Sequence, residues 1–242
     1  MPHARISLVL ALLLAQIGCA SLPAARPDPS DRFERFNRSI FRFNDALDRT
    51  ILQPVARGYV KVLPAPARRG VTNFLTNLAY PRTVINDLLQ GKFRDGASDT
   101  GRFVVNTVAG LGFFDPATRM GLEAHDEDLG QTLGKWGVPS GPYLMLPVLG
   151  PSSIRDGLAR IPDDYTTIRH YLNDAWLRWG LWGLDQVDTR AGLLQGDAIL
   201  DEVYDDYAFV RSAWLQRREY LVRDGEVPAD DLLEPADEAP PP

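Results

Sequence analysis

The sequence predicts a mainly α-helical domain, and three observations carry that expectation. Apolar residues recur at intervals of three and four over long stretches, the spacing of one helix face. No series of alternating apolar and polar residues of the strand type appears. A stretch of 19 uncharged residues, 136–154, contains Pro139, Pro142, Pro147, Pro151 and three glycines. Its length would suit a membrane span, but those residues forbid a continuous helix. It is expected as an extended, hairpin-like apolar loop between helices.

The elements follow in chain order. Ser30 or Asp31 opens the first helix, with Asp31 and Glu34 spaced as a capping box. Phe33, Phe36, Ile40, Phe43, Leu47 and Ile51 then mark one amphipathic face, and Pro54 is expected to end it. A second helix is expected over 67–79, carried by Val71, Phe74, Leu75 and Leu78. Pro81 suits the first turn of a third, which Gly91 stops. A fourth covers 95–109, followed by the apolar loop 110–116 and a short helix over 126–136. After the uncharged segment, 163–184 reads as an aromatic-rich helix and 189–223 as a further long helical stretch.

Charge is unevenly spread. The 242 residues hold 26 Lys and Arg against 32 Asp and Glu, a net charge of −6. One base, Arg5, lies before residue 19 and seven acids lie after residue 223, so the body between them carries 25 of each sign. A neutral body lacks the basic stripe that nucleic-acid binding requires, so no nucleic-acid partner is expected. Hydrophobic residues at 45% exclude a globally disordered chain. The acidic, proline-ending tail 226–242 is expected to be disordered.

Arg5 precedes a ten-residue apolar run, 6–15, the pattern of a secretory signal and too short for a bilayer, which needs about 20 residues. The run ends in Gly18-Cys19, and Cys19 is the single cysteine, which excludes an internal disulfide. A small residue before that cysteine resembles a bacterial lipobox, in which the thiolate is alkylated by diacylglycerol and the chain is then cleaved before the cysteine. Gln16 departs from the leucine usual at its position. No Asp follows the cysteine, which implies an outer-membrane address facing the periplasm. The alternative is an ordinary signal with an incidental cysteine.

Catalytic chemistry is not visible. Gly96-Ala-Ser98-Asp-Thr-Gly101 is one residue too long for a nucleophile elbow and lies in a helix. His125-Asp126-Glu127-Asp128 lacks the spacing of a metal site and reads as a solvated helix N-terminus, where acids favour the dipole. His170, beside Tyr171, reads as a packed or interfacial histidine. No catalytic, cofactor or metal-binding residue is assigned.

The apolar inventory is unusual. Trp176, Trp179 and Trp182 recur on a helical pattern, and Trp favours the membrane interface. These three are membrane-interface candidates, the alternative for each being packing against a neighbouring helix. Leu144 and Leu146, in the uncharged segment, are candidates for contact with lipid tails.

One resemblance covers nearly all of the remaining chain. The runs 28–38 (DPSDRFERFNR), Phe43-Asn44, 73–77 (NFLTN), 86–91 (NDLLQG), 101–107 (GRFVVNT), 129–134 (LGQTLG), 141–143 (GPY) and 187–191 (VDTRA) are similar, in order, to signatures of the MlaA (VacJ) family of outer-membrane lipoproteins. The resemblance implies a ring-shaped bundle of amphipathic helices with an apolar Pro/Gly loop, sunk in the inner leaflet of the outer membrane. It implies an amphipathic channel that removes mislocalised phospholipid from the outer leaflet and maintains lipid asymmetry. The implied partners are phospholipid, the periplasmic lipid carrier MlaC and a trimeric porin of the OmpC/OmpF kind. Cys19 matches the acylated cysteine. Phe43 and Asn44 fall in the segment that shapes the channel, and 136–147, with Gly137, Pro139, Gly141, Tyr143, Leu144 and Leu146, in the loop that borders it. Pro139 stands where relatives often have glycine, which bears on the mobility of that loop. The organisation expected is a signal peptide over 1–18, an acylated tether over 19–29, the helical domain over 30–225 and the tail over 226–242. The readings from other classes are a lipid hydrolase and a porin-docking lipoprotein without transport.

Overall fold

The computed structural model describes residues 31–226, and over that span the chain is mainly helical. Cys19, the signal segment, the tether and all of the tail but Glu226 lie outside the described residues.

Helix α1 spans Glu34–Leu47 and runs through a five-residue π turn, Asp48–Leu52, into α2, Gln53–Val62. The helical path therefore does not end at Pro54. The Gln53 amide donates to the Asp48 carbonyl, five residues back, and this register shift places Pro54 in the first turn of α2, where no proline N–H is needed. The expected capping box also forms differently. The Asp31 carboxylate accepts the Phe33 amide at 3.2 Å, and Phe33 itself is the N-cap.

Pro81 does not begin a helix either. Helix α3, Ala65–Leu89, passes through it without a break. Interior proline costs roughly 3 kcal/mol, and here α3 packs along α4, Phe93–Val108, which offsets it. The two form a hairpin whose turn places Gly91 at φ 78°, a left-handed conformation that glycine adopts without strain. The short α5, Pro116–Arg119, and α6, Leu129–Lys135, follow.

The uncharged segment forms the expected hairpin, with strand β1, Tyr143–Leu146, antiparallel to β2, Gly150–Ser153. Helix α7, Ile154–Tyr165, starts nine residues earlier than the sequence pattern placed it, capped by the Ser153 hydroxyl. It stops where Thr166 and Thr167 turn their hydroxyls onto the carbonyls of Asp163 and Asp164. Asp174 then caps a separate helix, α8, Ala175–Leu193. The last expected helix is likewise divided, into α9, Asp197–Glu202, and α10, Asp206–Val222, the latter capped by Asp205.

Polarity is distributed in reverse of the usual pattern. Among the described residues, seven apolar residues are buried against nineteen polar or charged ones. Tyr143, Met145 and Tyr207, with Ile40, Phe41, Trp214 and Leu215 around them, make a small apolar core. Phe36, Phe43, Ile51, Val55, Phe93, Val108, Phe114 and Trp176 are exposed. On α1 the buried stripe is Glu34 and Asn37, and the apolar face, with Phe36 and Phe43, turns largely outward. Exposed apolar surface on this scale marks an interaction face and not the exterior of an ordinary soluble domain.

Asparagines on α1 hold the hairpin. The Asn37 amide donates to the Tyr143 carbonyl at 3.1 Å and accepts from the Met145 amide at 2.9 Å. One heptad later, Asn44 donates to the Leu146 carbonyl at 2.9 Å and accepts from the Val148 amide at 2.8 Å. Val148 sits at φ 66°, a strained conformation for a β-branched residue, and the Asn44 clamp holds it there.

Candidate functional site

Two adjoining cavities lie among the helices. The first, about 690 Å³, is walled by α7, α8, α10, the start of α6 and the hairpin tip at Leu149. The second, about 590 Å³, lies between the middle of α3 and α8. Arg82, Thr167 and Arg169 line both, so the two spaces meet at these side chains.

The walls of the first cavity are amphipathic. Trp179, Trp182, Trp214 and Leu149 supply apolar surface, and five arginines and four aspartates supply charge. Trp179 and Trp182, one turn apart on α8, meet edge to face at 6.0 Å. Arg218 holds the Asp128 carboxylate with both terminal nitrogens, at 2.7 and 2.5 Å, and Asp156 at 2.9 Å. Burial works to raise both aspartates, yet Arg218 holds each below the usual carboxylate range. Asp128 also caps α6 by accepting the Gln131 amide. The acidic run 126–128 thus begins a helix as expected, but Asp128 is tied to Arg218 and not left to solvent. Gly130 makes this possible. A Cβ there would collide with the Asp156 carboxylate and the Arg218 guanidinium, and one at Gly134 would lie 2.7 Å from Arg155.

Arg169 pairs with Asp164 at 2.8 Å, and His170 Nδ1 lies 3.0 Å from the other oxygen of that carboxylate. Arg82 pairs with Asp126 at 2.8 Å. Asp163 accepts the Leu129 amide at 2.9 Å and the Asn86 side chain at 3.2 Å.

Behind the second cavity is a buried carboxyl pair. Gly96 brings α4 close enough for its Asp99 to face Asp87 of α3, both fully buried. The His125 Nδ1 lies 2.7 Å from Asp99. Among the described residues no amide, hydroxyl or cationic group donates to either Asp87 oxygen. Burial, reinforced by the charges of Asp99 and Glu127, raises Asp87 to about 7. Asp87 therefore keeps its proton in the folded state where the unfolded chain has lost it. Folding stability is expected to fall as pH rises from about 4 to about 7. Asp87→Asn keeps the shape without the proton, so its stability profile should be flatter over that window and higher by on the order of 1 kcal/mol at pH 8. Denaturant midpoints from pH 4 to 8 measure this, and equal slopes in the two proteins would contradict it.

Most of the sequence-derived candidates lie elsewhere. Phe43 is exposed, Tyr143 is buried in the core, and Gly137, Pro139 and Gly141 are exposed on the approach to the hairpin. Leu144 and Leu146 are half-buried on the strand face opposite Tyr143 and Met145. None of these, nor Asn44, lines either cavity. Trp179 and Trp182 do line the first cavity, whereas Trp176 projects outside it, 90% exposed. The wall arginines carry no spacing that distinguishes them in sequence from surface arginines. The short runs quoted above are legible in another way, because their polar residues tie the elements together. Asn77 donates to Thr107, Thr132 to Asn86, and Arg102 to Asp115. Tyr59 and Thr72 both donate to Asp188, and Arg190 donates to Asp48.

Among the described residues no group of three or more His, Cys, Asp or Glu is arranged to hold a metal ion, and no helix is long and apolar enough to cross a membrane.

Known proteins provide an independent comparison. The family model described as MlaA lipoprotein matches residues 29–221. The Escherichia coli K12 protein named intermembrane phospholipid transport system lipoprotein MlaA is 36% identical over 220 residues, covering 87% of this chain and 86% of its own. A protein of the same name from Haemophilus influenzae is 30% identical, covering 95% and 98%. A structure solved in work on the structural basis for maintenance of bacterial outer membrane lipid asymmetry superimposes with a TM-score of 0.73 at 37% identity. That match covers 80% of this chain and 99% of the solved one.

Proposed function

The chain belongs to the MlaA lipoprotein family, and from that premise we propose that it is a non-enzymatic phospholipid channel of the outer membrane. It removes phospholipid mislocalised to the outer leaflet, passes it to a periplasmic carrier and so maintains lipid asymmetry. The observation that carries this reading is the reversed polarity: polar groups and amphipathic cavities inside, large apolar side chains outside. A lipid headgroup crossing hydrocarbon unaided exposes charge at a cost of several kcal/mol. A cavity lined by arginines, aspartates and indoles lowers that barrier without covalent chemistry. The exposed apolar faces support a ring of helices sunk in the inner leaflet, with Trp176 and Phe43 among the lipid-facing residues. Acylated Cys19 adds the anchor, and a trimeric porin and the carrier MlaC are the partners this reading requires.

Two expected results test it. Leu144→Asp places a carboxylate on the outward face of β1, which costs about 2.5–3.5 kcal/mol at membrane depth. Leu146→Asp is the less direct probe, because Leu146 also packs toward Gly157 of α7. In a strain lacking its own family member, folded Leu144→Asp protein should fail to clear outer-leaflet phospholipid, read with an impermeant amine-reactive label. Arg217→Asp, on the exposed face of α10, should clear it. Equal activity of the two variants would show that the hairpin does not contact lipid. Cys19→Ser should lose incorporation of labelled palmitate, because the hydroxyl is far less ionised than the thiol. A labelled serine variant would exclude the lipobox.

A further inference from the structure

The first cavity contains charge that its own walls leave unmatched. Three of its five arginines have carboxylate partners: Arg82 with Asp126, Arg169 with Asp164, and Arg218 with Asp128 and Asp156. Arg160 and Arg178 have no carboxylate within 4.0 Å among the described residues. The Arg160 fork reaches only the carbonyls of Leu149 and Pro151, each at 3.4 Å, beyond the usual range for such bonds. Among the described residues the Arg178 side chain has no hydrogen-bond partner, and it stands one turn before Trp182 and next to Trp179 on the same wall. The aspartates around them are engaged by Arg218, by Arg169 and His170, or, for Asp163, by an amide and an asparagine. Arg160 is exposed and Arg178 half-buried on the cavity wall, so both guanidinium forks are accessible to a ligand anion.

We infer that Arg160 and Arg178 form a phosphate-binding station in the first cavity, with Trp179 and Trp182 against the glycerol end of the same ligand. The inference rests on the reading of the cavities as a lipid path. Guanidinium forks match the oxygens of a phosphate ester. A carboxylate is satisfied by one fork, whereas two arginines on separate helices suit the non-bridging oxygens of a phosphodiester with the glycerol end left for the indoles. The station takes the phosphate of a phospholipid headgroup and not a neutral diacylglycerol.

The test is equilibrium binding to the full chain, delipidated in a maltoside detergent and followed by tryptophan fluorescence. The ligands are dioctanoyl phosphatidylethanolamine, dioctanoylglycerol, octanoate and inorganic phosphate. Arg160→Gln and Arg178→Gln should each weaken phosphatidylethanolamine binding about tenfold, and together about a hundredfold, the effect of losing one charge-assisted hydrogen-bonded partner each. Dioctanoylglycerol binding should not change. Arg178→Lys, which keeps the charge, should retain more of the affinity than Arg178→Gln. Arg119→Gln, an exposed arginine outside both cavities, is the control. Circular dichroism checks the helices, and should Arg160→Gln lose them, the Arg178 series carries the test alone. Phosphatidylethanolamine binding that is strong yet indifferent to both substitutions overturns the station and leaves the transport reading intact. So does a parallel loss of dioctanoylglycerol, which would signify a collapsed cavity. Octanoate or inorganic phosphate binding as tightly as the phospholipid overturns the headgroup assignment. A wild-type chain that binds no phospholipid overturns both readings.

Discussion

Replacing Arg218 with methionine should cost about 3–5 kcal/mol of folding stability, the usual result of stripping one partner from a buried ion pair. The guanidinium is the shared counter-ion of Asp128 and Asp156, whose side chains are largely withdrawn from water. Methionine fills a similar volume, so lost packing contributes little. What remains is two carboxylates facing each other without a cation, and α6, α7 and α10 meet at that point. The pH dependence gives a second readout. Both carboxylates are depressed in the folded protein. Their contribution is therefore present above the unfolded carboxylate value, about 3.9, and is lost as pH falls through the lower folded values. The variant should lack that acid-side loss, because protonation now relieves repulsion. A denaturant midpoint within about 1 kcal/mol of wild type, or an unchanged acid limb, would contradict this account. Arg218→Lys should fall between the two, since an ammonium supplies charge but cannot reach both carboxylates as a planar fork.

Asn37→Leu should be comparably damaging, at roughly 2–4 kcal/mol, for a different reason. Asn37 is fully buried and serves both the carbonyl of Tyr143 and the amide of Met145. Leucine has nearly the same volume but leaves both backbone groups unsatisfied, at about 1–3 kcal/mol each. Its amide also reaches Asp31 at 3.0 Å, which in turn accepts from Tyr207. The loss should loosen the hairpin and the small apolar core together. Amide hydrogen exchange over 143–153 should speed up in Asn37→Leu and stay slow in an exposed substitution on the same helix such as Arg42→Leu. Unchanged protection of the Met145 amide would show that the hairpin does not depend on this clamp. Asn44, one heptad on, repeats the arrangement at the turn, so its loss should free Val148 from its strained conformation.

Much of the secondary structure is legible in the sequence, and each misreading has a physical reason. The 3-and-4 spacing of Phe33 to Ile51 located α1, and the four prolines of the uncharged segment excluded a long helix there. Pro54 and Pro81 were misread as boundaries because proline propensity is a local quantity. A π turn before Pro54 removed the need for its missing donor, and packing of α4 along α3 offset the break at Pro81. The opposite error joined α7 to α8, because aromatic density continues across 163–184 while the hydroxyl caps of Thr166 and Thr167 have no periodic signature. The direction in which α1 faces was also beyond the pattern. Periodicity shows that a helix has an apolar side but not whether protein or lipid covers it.

The sequence by itself determined that the chain is mainly helical, that its uncharged segment turns back on itself, and which short polar runs align it with its relatives. Each of these depends on neighbours within a few residues or on identities read in order. Tertiary structure alone decided which polar residues are buried, that α1 turns Phe36 and Phe43 outward while Phe41 joins the core, and that Asn44 is a clamp on the hairpin. It alone gathered Arg82, Arg160, Arg169, Arg178 and Arg218, spread over α3, α7, the following turn, α8 and α10, around one cavity. The physical reason is that ion pairing and desolvation depend on distances between side chains far apart in the chain. Two arginines identical in sequence terms, Arg218 with its carboxylates and Arg160 with none, are distinguished only once the helices that carry them are packed.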